Sequence, residues 1–151
     1  MSKKKKYVIE GISDNLAFCE AGKLILSLKL KEIFSLIDLL FKDDKPENIH
    51  ALRIALRKFR YVFEIFYICY NKELFNYIYK KIKFLQDLIG SCRDLDVMIL
   101  KVEEIALETK AKIPKYFFSK IDEKRLASRQ IIKLELIKFL SDKKVNSILI
   151  N

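Results

Sequence analysis

The sequence predicts an all-α protein that folds as an antiparallel four-helix bundle. Along its first long segment, apolar residues recur at alternating spacings of four and three, as in a helix that buries one side. The repeat consists of Leu26, Leu30, Ile33, Ile37 and Leu40. The 151 residues include only 3 Gly and 2 Pro, too few for the many tight turns of a β-sandwich or barrel. Short polar breaks separate four long segments, and short connections between long helices make neighbours antiparallel.

The first helix is predicted to begin at Ser13 or Asp14, because either side chain can cap a helix N-terminus. It is predicted to run to about Phe41, where a polar segment follows. Residues 1–13 contain a run of lysines, and we expect them to form a flexible basic tail. Residues 14–151 are then the helical bundle itself.

The second helix is predicted from Pro46 to about Cys69. The polar residues 42–45 interrupt the apolar pattern, and proline is well suited to the first turn of a helix because its missing N–H is not needed there. A short turn at Asn71 and Lys72 ends this element.

The third and fourth helices are predicted over residues 72–109 and 115–140. Gly90 lies in the middle of the third helix, where it lowers helix propensity and could bend the helix. A break that ends in a proline separates the two helices. A short helical piece near residues 145–150 is predicted to end the chain.

The composition is basic, with 30 Lys and Arg against 20 Asp and Glu and a formal net charge of +10. Such an excess indicates an anionic partner or serves solubility alone. The most apolar stretch, residues 24–41, is interrupted by four charged residues, so we expect an amphipathic helix and no membrane span. No apolar segment follows the lysine run at 3–6, so a signal peptide is not predicted.

The cysteine and histidine counts restrict the possible sites further. The three cysteines are widely spaced and form no Cys-x-x-Cys pair, so neither a disulfide framework nor a zinc knuckle is predicted. We expect reduced, mostly buried thiols in a cytoplasmic protein. A single His excludes a zinc site with several histidines.

The second predicted helix carries a column of charged residues on the side opposite its apolar residues. At about 100° per residue, this side holds His50, Arg53, Arg57, Arg60 and Glu64, and the cations climb about 15 Å. Three stacked guanidiniums repel one another unless an anion runs along them, and Glu64 neutralises one. Arginine is concentrated here although lysine predominates elsewhere, and its planar fork matches phosphate oxygens. The pattern favours an anion site over a merely solvated basic face.

The third predicted helix places Arg93 close to an otherwise apolar stripe. A charged residue there must be paired or must line a cleft. Asp94, Asp96 or Glu64 could pair with it and hold the helices in register. Alternatively, Arg93 faces the same anion as the second-helix column, and the two interpretations agree if these carboxylates orient the guanidiniums.

Other chemistries find less support in the sequence. Asp94 and Asp96 are two residues apart and do not face each other on a helix, and no acid near His50 in sequence would orient it. A metal site made of His50 with Glu47 or Glu64 would be electrostatically poor beside arginines. We expect the protein to have no enzymatic activity and to bind no metal or cofactor. A metal-assisted phosphohydrolase built around His50 and Asp94 is the least favoured alternative. A nucleic-acid-binding module remains the main alternative, although no aromatic stacking platform is evident.

Two segments of the chain carry recognisable motifs. Residues 49–60 read I-H-A-L-R-I-A-L-R-K-F-R and resemble the pattern V-H-x-M-R-V-A-x-R-R-L-R. Residues 88–97 read L-I-G-S-C-R-D-L-D-V and resemble L-G-x-x-R-D-x-D-V. Both patterns resemble those of the CHAD family, the conserved histidine α-helical domain. Weaker similarity at residues 29–32 and 139–143 extends the resemblance over nearly the whole chain, with the motifs in the family's order.

The resemblance implies a helical bundle that binds inorganic polyphosphate in a basic channel and is not itself an enzyme. Carried over by position, the polyphosphate ligands would be His50, Arg53, Arg57, Lys58, Arg60 and Arg93. Helix position and charge add Lys29, Lys83 and Arg129 as further candidate ligands. The candidate orienting carboxylates are Glu64, Asp94 and Asp96.

The sequence departs from the family pattern in two ways. Arg57 and Lys58 stand where the family has two arginines, which keeps the charge but loses one donor fork. A full family domain has two four-helix halves around a central cavity, whereas this chain supplies one half. We therefore expect either a homodimer that rebuilds the cavity, with the second helices facing each other, or a half-module with an open basic groove.

Overall fold

The computed structural model describes residues 9, 11–13 and 16–150, so most of the predicted basic tail lies outside the described residues. The helices are α1 (Phe18–Lys42), α2 (Pro46–Ile65), α3 (Lys72–Thr109), α4 (Lys115–Leu140) and α5 (Lys143–Asn146), with a 3-10 turn at Tyr67–Cys69. The described residues contain no strand, and the predicted all-α bundle is confirmed.

Each long helix packs mainly against the next one in the chain, and α1 also touches α4. The core between them is apolar, and its largest fully buried side chains include Phe59, Phe63 and Phe139. An ion pair of 3.0 Å between Lys133 Nζ and Asp44 Oδ2 ties α4 to the α1–α2 connection. This hydrogen bond holds the pKa of Asp44 below its usual value. None of the described helices combines the length and apolar character that a bilayer crossing requires.

The predicted bounds of the third and fourth helices are confirmed, but two helix ends differ from the prediction. Helix α1 follows Ala17, which makes no side-chain cap. Ser13 lies outside the helix, and Asp14 lies outside the described residues. Helix α2 ends at Ile65, four residues early, because Phe66 leaves the helical conformation and a 3-10 turn follows.

Close packing between α1 and the end of α2 surrounds Phe66. Its ring lies 4.7 Å from the ring of Phe18. Gly22 on α1 faces the same ring so closely that a Cβ at this position would collide with it. A glycine is therefore required for the approach of these two chain segments.

The prediction of three reduced thiols is wrong for two of them. Cys19 at the start of α1 and Cys69 in the 3-10 turn form a disulfide, whereas Cys92 is a free and buried thiol. The two joined residues are 50 positions apart in sequence. Only the packing of α1 against the end of α2 brings them together, and the spacing of the cysteines carries no sign of it.

Thiol titration checks this disulfide. In the denatured protein without reductant we expect one reactive thiol per chain, that of Cys92, and three after reduction. Cys92→Ser should then show none before reduction and two afterwards. Three reactive thiols in wild-type protein that was purified without reductant would contradict the disulfide.

Asp142 fixes α5 to α3. Its carboxylate accepts hydrogen bonds from the backbone N–H groups of Lys144 and Val145 and from the Tyr77 hydroxyl at 2.7 Å, and it pairs with Lys81. Burial alone would raise the pKa of Asp142, but these hydrogen bonds outweigh it and bring the pKa to about 2. The charge of Lys81 is thus engaged in holding the helices together.

Candidate functional site

The predicted cation column lies on α2 as the sequence indicated. His50 and Arg57 are exposed, while Arg53 and Arg60 are partly buried. The opposite side of α2 is the core side, where Leu52, Leu56, Phe59 and Phe63 are fully buried. The separation follows from the 3.6-residue period of the helix, and it leaves the cations on the flank that adjoins α3.

Two contacts and one shared cleft define how α2 and α3 face each other. His50 and Arg93 line one cleft, the Arg53 guanidinium lies beside Gly90, and the Tyr79 hydroxyl donates to Glu64 Oε1 at 2.8 Å. The spacing of these residues is the same on the two helices. Arg53 and Glu64 lie three and fourteen positions after His50 on α2. Their partners Gly90 and Tyr79 lie three and fourteen positions before Arg93 on α3. The helices are therefore antiparallel in a single constant register.

The same register extends the cation column onto α3. It sets Arg57 opposite Gln86 and Arg60 opposite Lys83. We call this surface the cationic seam, and its residues are His50, Arg53, Arg57, Arg60, Lys83 and Arg93. Lys83 is exposed and Arg93 is partly buried, so the seam presents charge to solvent from two helices.

The seam has few carboxylates of its own. Within the described residues, its one ion pair joins Arg60 Nε to Glu64 Oε1 at 3.6 Å. The hydrogen bond to Glu64 also raises the pKa of Tyr79. The register places the cations Arg60 and Lys83 at the same level of the two helices, and repulsion between like charges falls when an anion lies between them. The Gln86 amide oxygen is buried with no described partner.

Gly90 allows Arg53 to lie across α3, and the helix runs unbroken through it. A Cβ at Gly90 would lie 3.5 Å from Arg53 Nε and 3.9 Å from Nη2, which is ordinary van der Waals contact. A small side chain therefore has room here, whereas a larger one would displace the guanidinium.

We expect Gly90→Ala to raise the free energy of unfolding by about 0.5–1 kcal/mol, because alanine is the better helix former. Gly22→Ala should lower it by about 1–3 kcal/mol, because the new methyl group collides with Phe66. Urea unfolding of the two variants measures both values. A loss of stability in Gly90→Ala would mean that Arg53 packs on Gly90 more tightly than the contact distances indicate.

Asp96 is the one buried acidic residue of the described chain, with a side chain 2% exposed. Its Oδ1 accepts from Arg125 Nε at 2.8 Å and lies 3.4 Å from Arg129 Nη2. Arg125 also lies 3.4 Å from Asp122. We call Asp96, Arg125 and Arg129 the Asp96 cluster, and it joins α3 to α4.

The three predicted orienting carboxylates have different partners from those that we expected. Asp96 holds two arginines of α4, and Arg93 forms no ion pair with any carboxylate in the described part of the chain. Asp94 is exposed and likewise forms no ion pair there. Glu64 lies beside Arg60. The proposed salt bridge from Arg93 to Asp94, Asp96 or Glu64 is therefore not present in this structure.

The Asp96 cluster adjoins the end of the seam at His50. A cleft of about 440 Å³ is lined there by His50, Arg93 and Arg125, together with the carboxylates Glu47 and Glu103. Arg125 was missed by sequence reasoning, because its role depends on how α4 packs on α3. The one available signal was its position four residues before Arg129 on the same helix face.

The remaining candidate ligands are not part of the seam. Lys29 is partly buried on α1, which packs on α2 and touches α4. Lys58 is exposed but lies about 100° around α2 from Arg57. Arg129 is 16% exposed and engaged with Asp96.

Two other chemistries concern a bound metal ion and the free thiol. No group of three or more His, Cys, Asp or Glu side chains in the described residues could hold a metal ion. Cys92 lies near Ser128 and Arg129, and burial raises the pKa of its thiol, which disfavours the reactive thiolate.

A family model described as the CHAD domain matches residues 24–137, which is most of the chain. The match covers α2 entirely, the whole of α3 and most of α1 and α4. It therefore includes every residue of the cationic seam and of the Asp96 cluster. No curated protein and no solved structure matches the chain.

Proposed function

The chain belongs to the CHAD domain family, and from this membership and the cationic seam we propose that it binds inorganic polyphosphate without catalysing a reaction. The family is known for polyphosphate binding or related roles. The observation that carries the proposal is the seam itself, in which six cationic or imidazole side chains lie along the adjoining flanks of two helices and, within the described residues, one of them forms an ion pair. Such an arrangement is stabilised by a linear polyanion lying along it.

Binding in this proposal is electrostatic and directional. Each guanidinium offers paired N–H donors that match two phosphate oxygens, and such charge-assisted hydrogen bonds are stronger than neutral ones. His50 contributes a further N–H donor at the end of the seam. Counterions condensed on the polyanion are released as the cations replace them, so affinity should fall steeply with salt.

The test is a competition experiment at fixed ionic strength. A labelled duplex DNA is bound to the protein and displaced by long-chain polyphosphate, RNA or unlabelled DNA at matched phosphate concentration. We expect polyphosphate to displace DNA. Successive phosphates of polyphosphate lie closer together than successive phosphates along one strand of DNA, which are roughly 3.4 Å apart along the helix axis. Equal or tighter binding of DNA or RNA would favour the nucleic-acid-binding module instead.

We also propose that polyphosphate promotes a homodimer with the α2 helices facing each other. A two-fold axis would set two seams around one groove, as an isologous interface requires. Like charges would then oppose each other across the axis, so the dimer should need the polyanion. Light scattering with and without polyphosphate measures this, and a monomer that binds tightly under both conditions would mean that one open seam is a complete site.

The cytoplasmic location inferred from the sequence remains a prediction. The disulfide between Cys19 and Cys69 weighs against it, since disulfides are rare in reducing compartments. Cells are lysed with a thiol-blocking reagent and fractionated, and the protein is detected in each fraction with an antibody. This would give both its compartment and the redox state of Cys19 and Cys69.

A further inference from the structure

The cationic seam is closed by carboxylates at both of its ends. At one end Glu64 accepts from Tyr79 and pairs with Arg60, so its negative charge lies directly after the last arginine of α2. At the other end Glu47 and Glu103 line the cleft that contains His50 and Arg93. The further cation of this cleft, Arg125, is already paired with Asp96 and Asp122. A polyanion that extends past either end meets a negative charge.

Beyond Glu64 the surface also stops being cationic. Ile65, Tyr67 and Ile68 follow it on α2 and the 3-10 turn, and their side chains are 61%, 57% and 64% exposed. The next cleft in this direction is lined by Tyr67, Ile68 and Phe75, with Lys72 as its one cation. The surface there offers phosphate little compensation for lost hydration.

The length of the seam follows from helix geometry. His50 and Arg60 lie ten positions apart, which is about 15 Å along α2 and, at about 3 Å between successive phosphorus atoms, matches a run of about six phosphate groups. Arg93 and Lys83 span the same distance along α3 in the opposite direction. Both sides of the seam therefore begin and end together.

We infer that each copy of this chain takes a bounded run of about six phosphates, rather than an indefinite length of polymer. This inference rests on the proposed function and adds the size of its ligand. Long polyphosphate then acts as a lattice of successive footprints of equal length, each occupied by one copy or, in the proposed homodimer, by two copies that face each other. The affinity of one copy rises with chain length only until the seam is filled.

Calorimetric titration with linear polyphosphates of defined length, from triphosphate upward, tests the inference. We expect the intrinsic affinity per copy, corrected for the number of overlapping positions, to rise up to about six phosphates and then to level off. The number of copies bound per polymer should thereafter grow in proportion to its length. A corrected affinity that continues to rise steeply in long chains would overturn the bounded footprint and leave polyphosphate binding intact.

A variant at one end of the seam tests the same inference independently. Glu64→Gln removes the negative charge but keeps an acceptor for Tyr79, so chains longer than the footprint should bind roughly two- to fivefold more tightly. Triphosphate, which need not reach this end, should gain less. The matched control is Glu32→Gln on α1, an exposed carboxylate with no ion pair in the described residues. Equal gains in both variants would overturn the role of Glu64 as a boundary, whereas no binding of any polyphosphate by wild-type protein would overturn the proposed function itself.

Discussion

Exchanging Arg53 and Arg57 together for glutamate should weaken the binding of long-chain polyphosphate by about a hundredfold or more. Each arginine is expected to lose charged hydrogen bonds that contribute about 1.5–3 kcal/mol, and each new carboxylate repels the polyanion. Both residues lie in the middle of the cationic seam, where no described carboxylate pairs with them. Fluorescence anisotropy at fixed salt measures the dissociation constants.

The control for this prediction carries the same change of net charge elsewhere. Lys101 and Lys124 are exposed on α3 and α4 and form no ion pair in the described part of the chain. Their exchange for glutamate should weaken binding only slightly, because remote exposed charges are screened beyond about 10 Å at 0.1 M salt. A loss as large as that of the seam variant would mean that the whole basic surface binds diffusely.

Of the two exchanged arginines, Arg57 is exposed and also supports a milder version of the test. Arg57→Ala removes one guanidinium without placing a carboxylate in the seam, and its folding can be verified by circular dichroism. We expect about a tenfold loss of affinity, in keeping with one charged contact. Lys58→Ala, one position further, should cost less, because Lys58 lies about 100° away around the helix.

The sequence contains most of what is needed to predict the helices. The periodicity and the polar breaks place α3 and α4 at their observed bounds, because a long amphipathic pattern constrains a helix along its whole length. The ends that were missed depend on tertiary packing. Helix α1 starts without a side-chain cap, and α2 stops where Phe66 meets Gly22. The residues next to these two helix ends carry no signal that would predict either end.

The site divides in the same way. The cation column of α2 follows from helical spacing alone, and Arg93 and Lys83 of α3 were candidate ligands from the sequence, but the structure adds the register that aligns them with that column. The register that sets Arg60 opposite Lys83 is a property of two packed helices, so the sequence could not supply it. The partners of Asp96 were missed for the same reason, since Arg125 and Arg129 approach it from α4, 29 and 33 positions away.

Asp96→Ala is expected to cause a large loss of stability. The carboxylate is 2% exposed and bonded to Arg125 and Arg129, whose side chains are 23% and 16% exposed. Removing one partner from a buried ion pair costs about 3–5 kcal/mol, because the opposite charge remains without compensation. This is a large share of the roughly 5–15 kcal/mol that stabilises a typical domain. Urea unfolding at neutral pH measures the difference.

Two further variants separate the buried charge from other causes of the loss. Asp94→Ala removes an exposed carboxylate two residues away and should change the free energy of unfolding by less than about 0.5 kcal/mol. Replacing Arg125 and Arg129 by methionine in the Asp96→Ala background should restore much of the stability, because no unpaired charge is then left in the interface. If Asp96→Ala costs no more than Asp94→Ala, the two arginines are solvated without their carboxylate. In that case the Asp96 cluster does not hold Arg125 in the cleft beside His50, and the end of the seam is positioned by α2 and α3 alone.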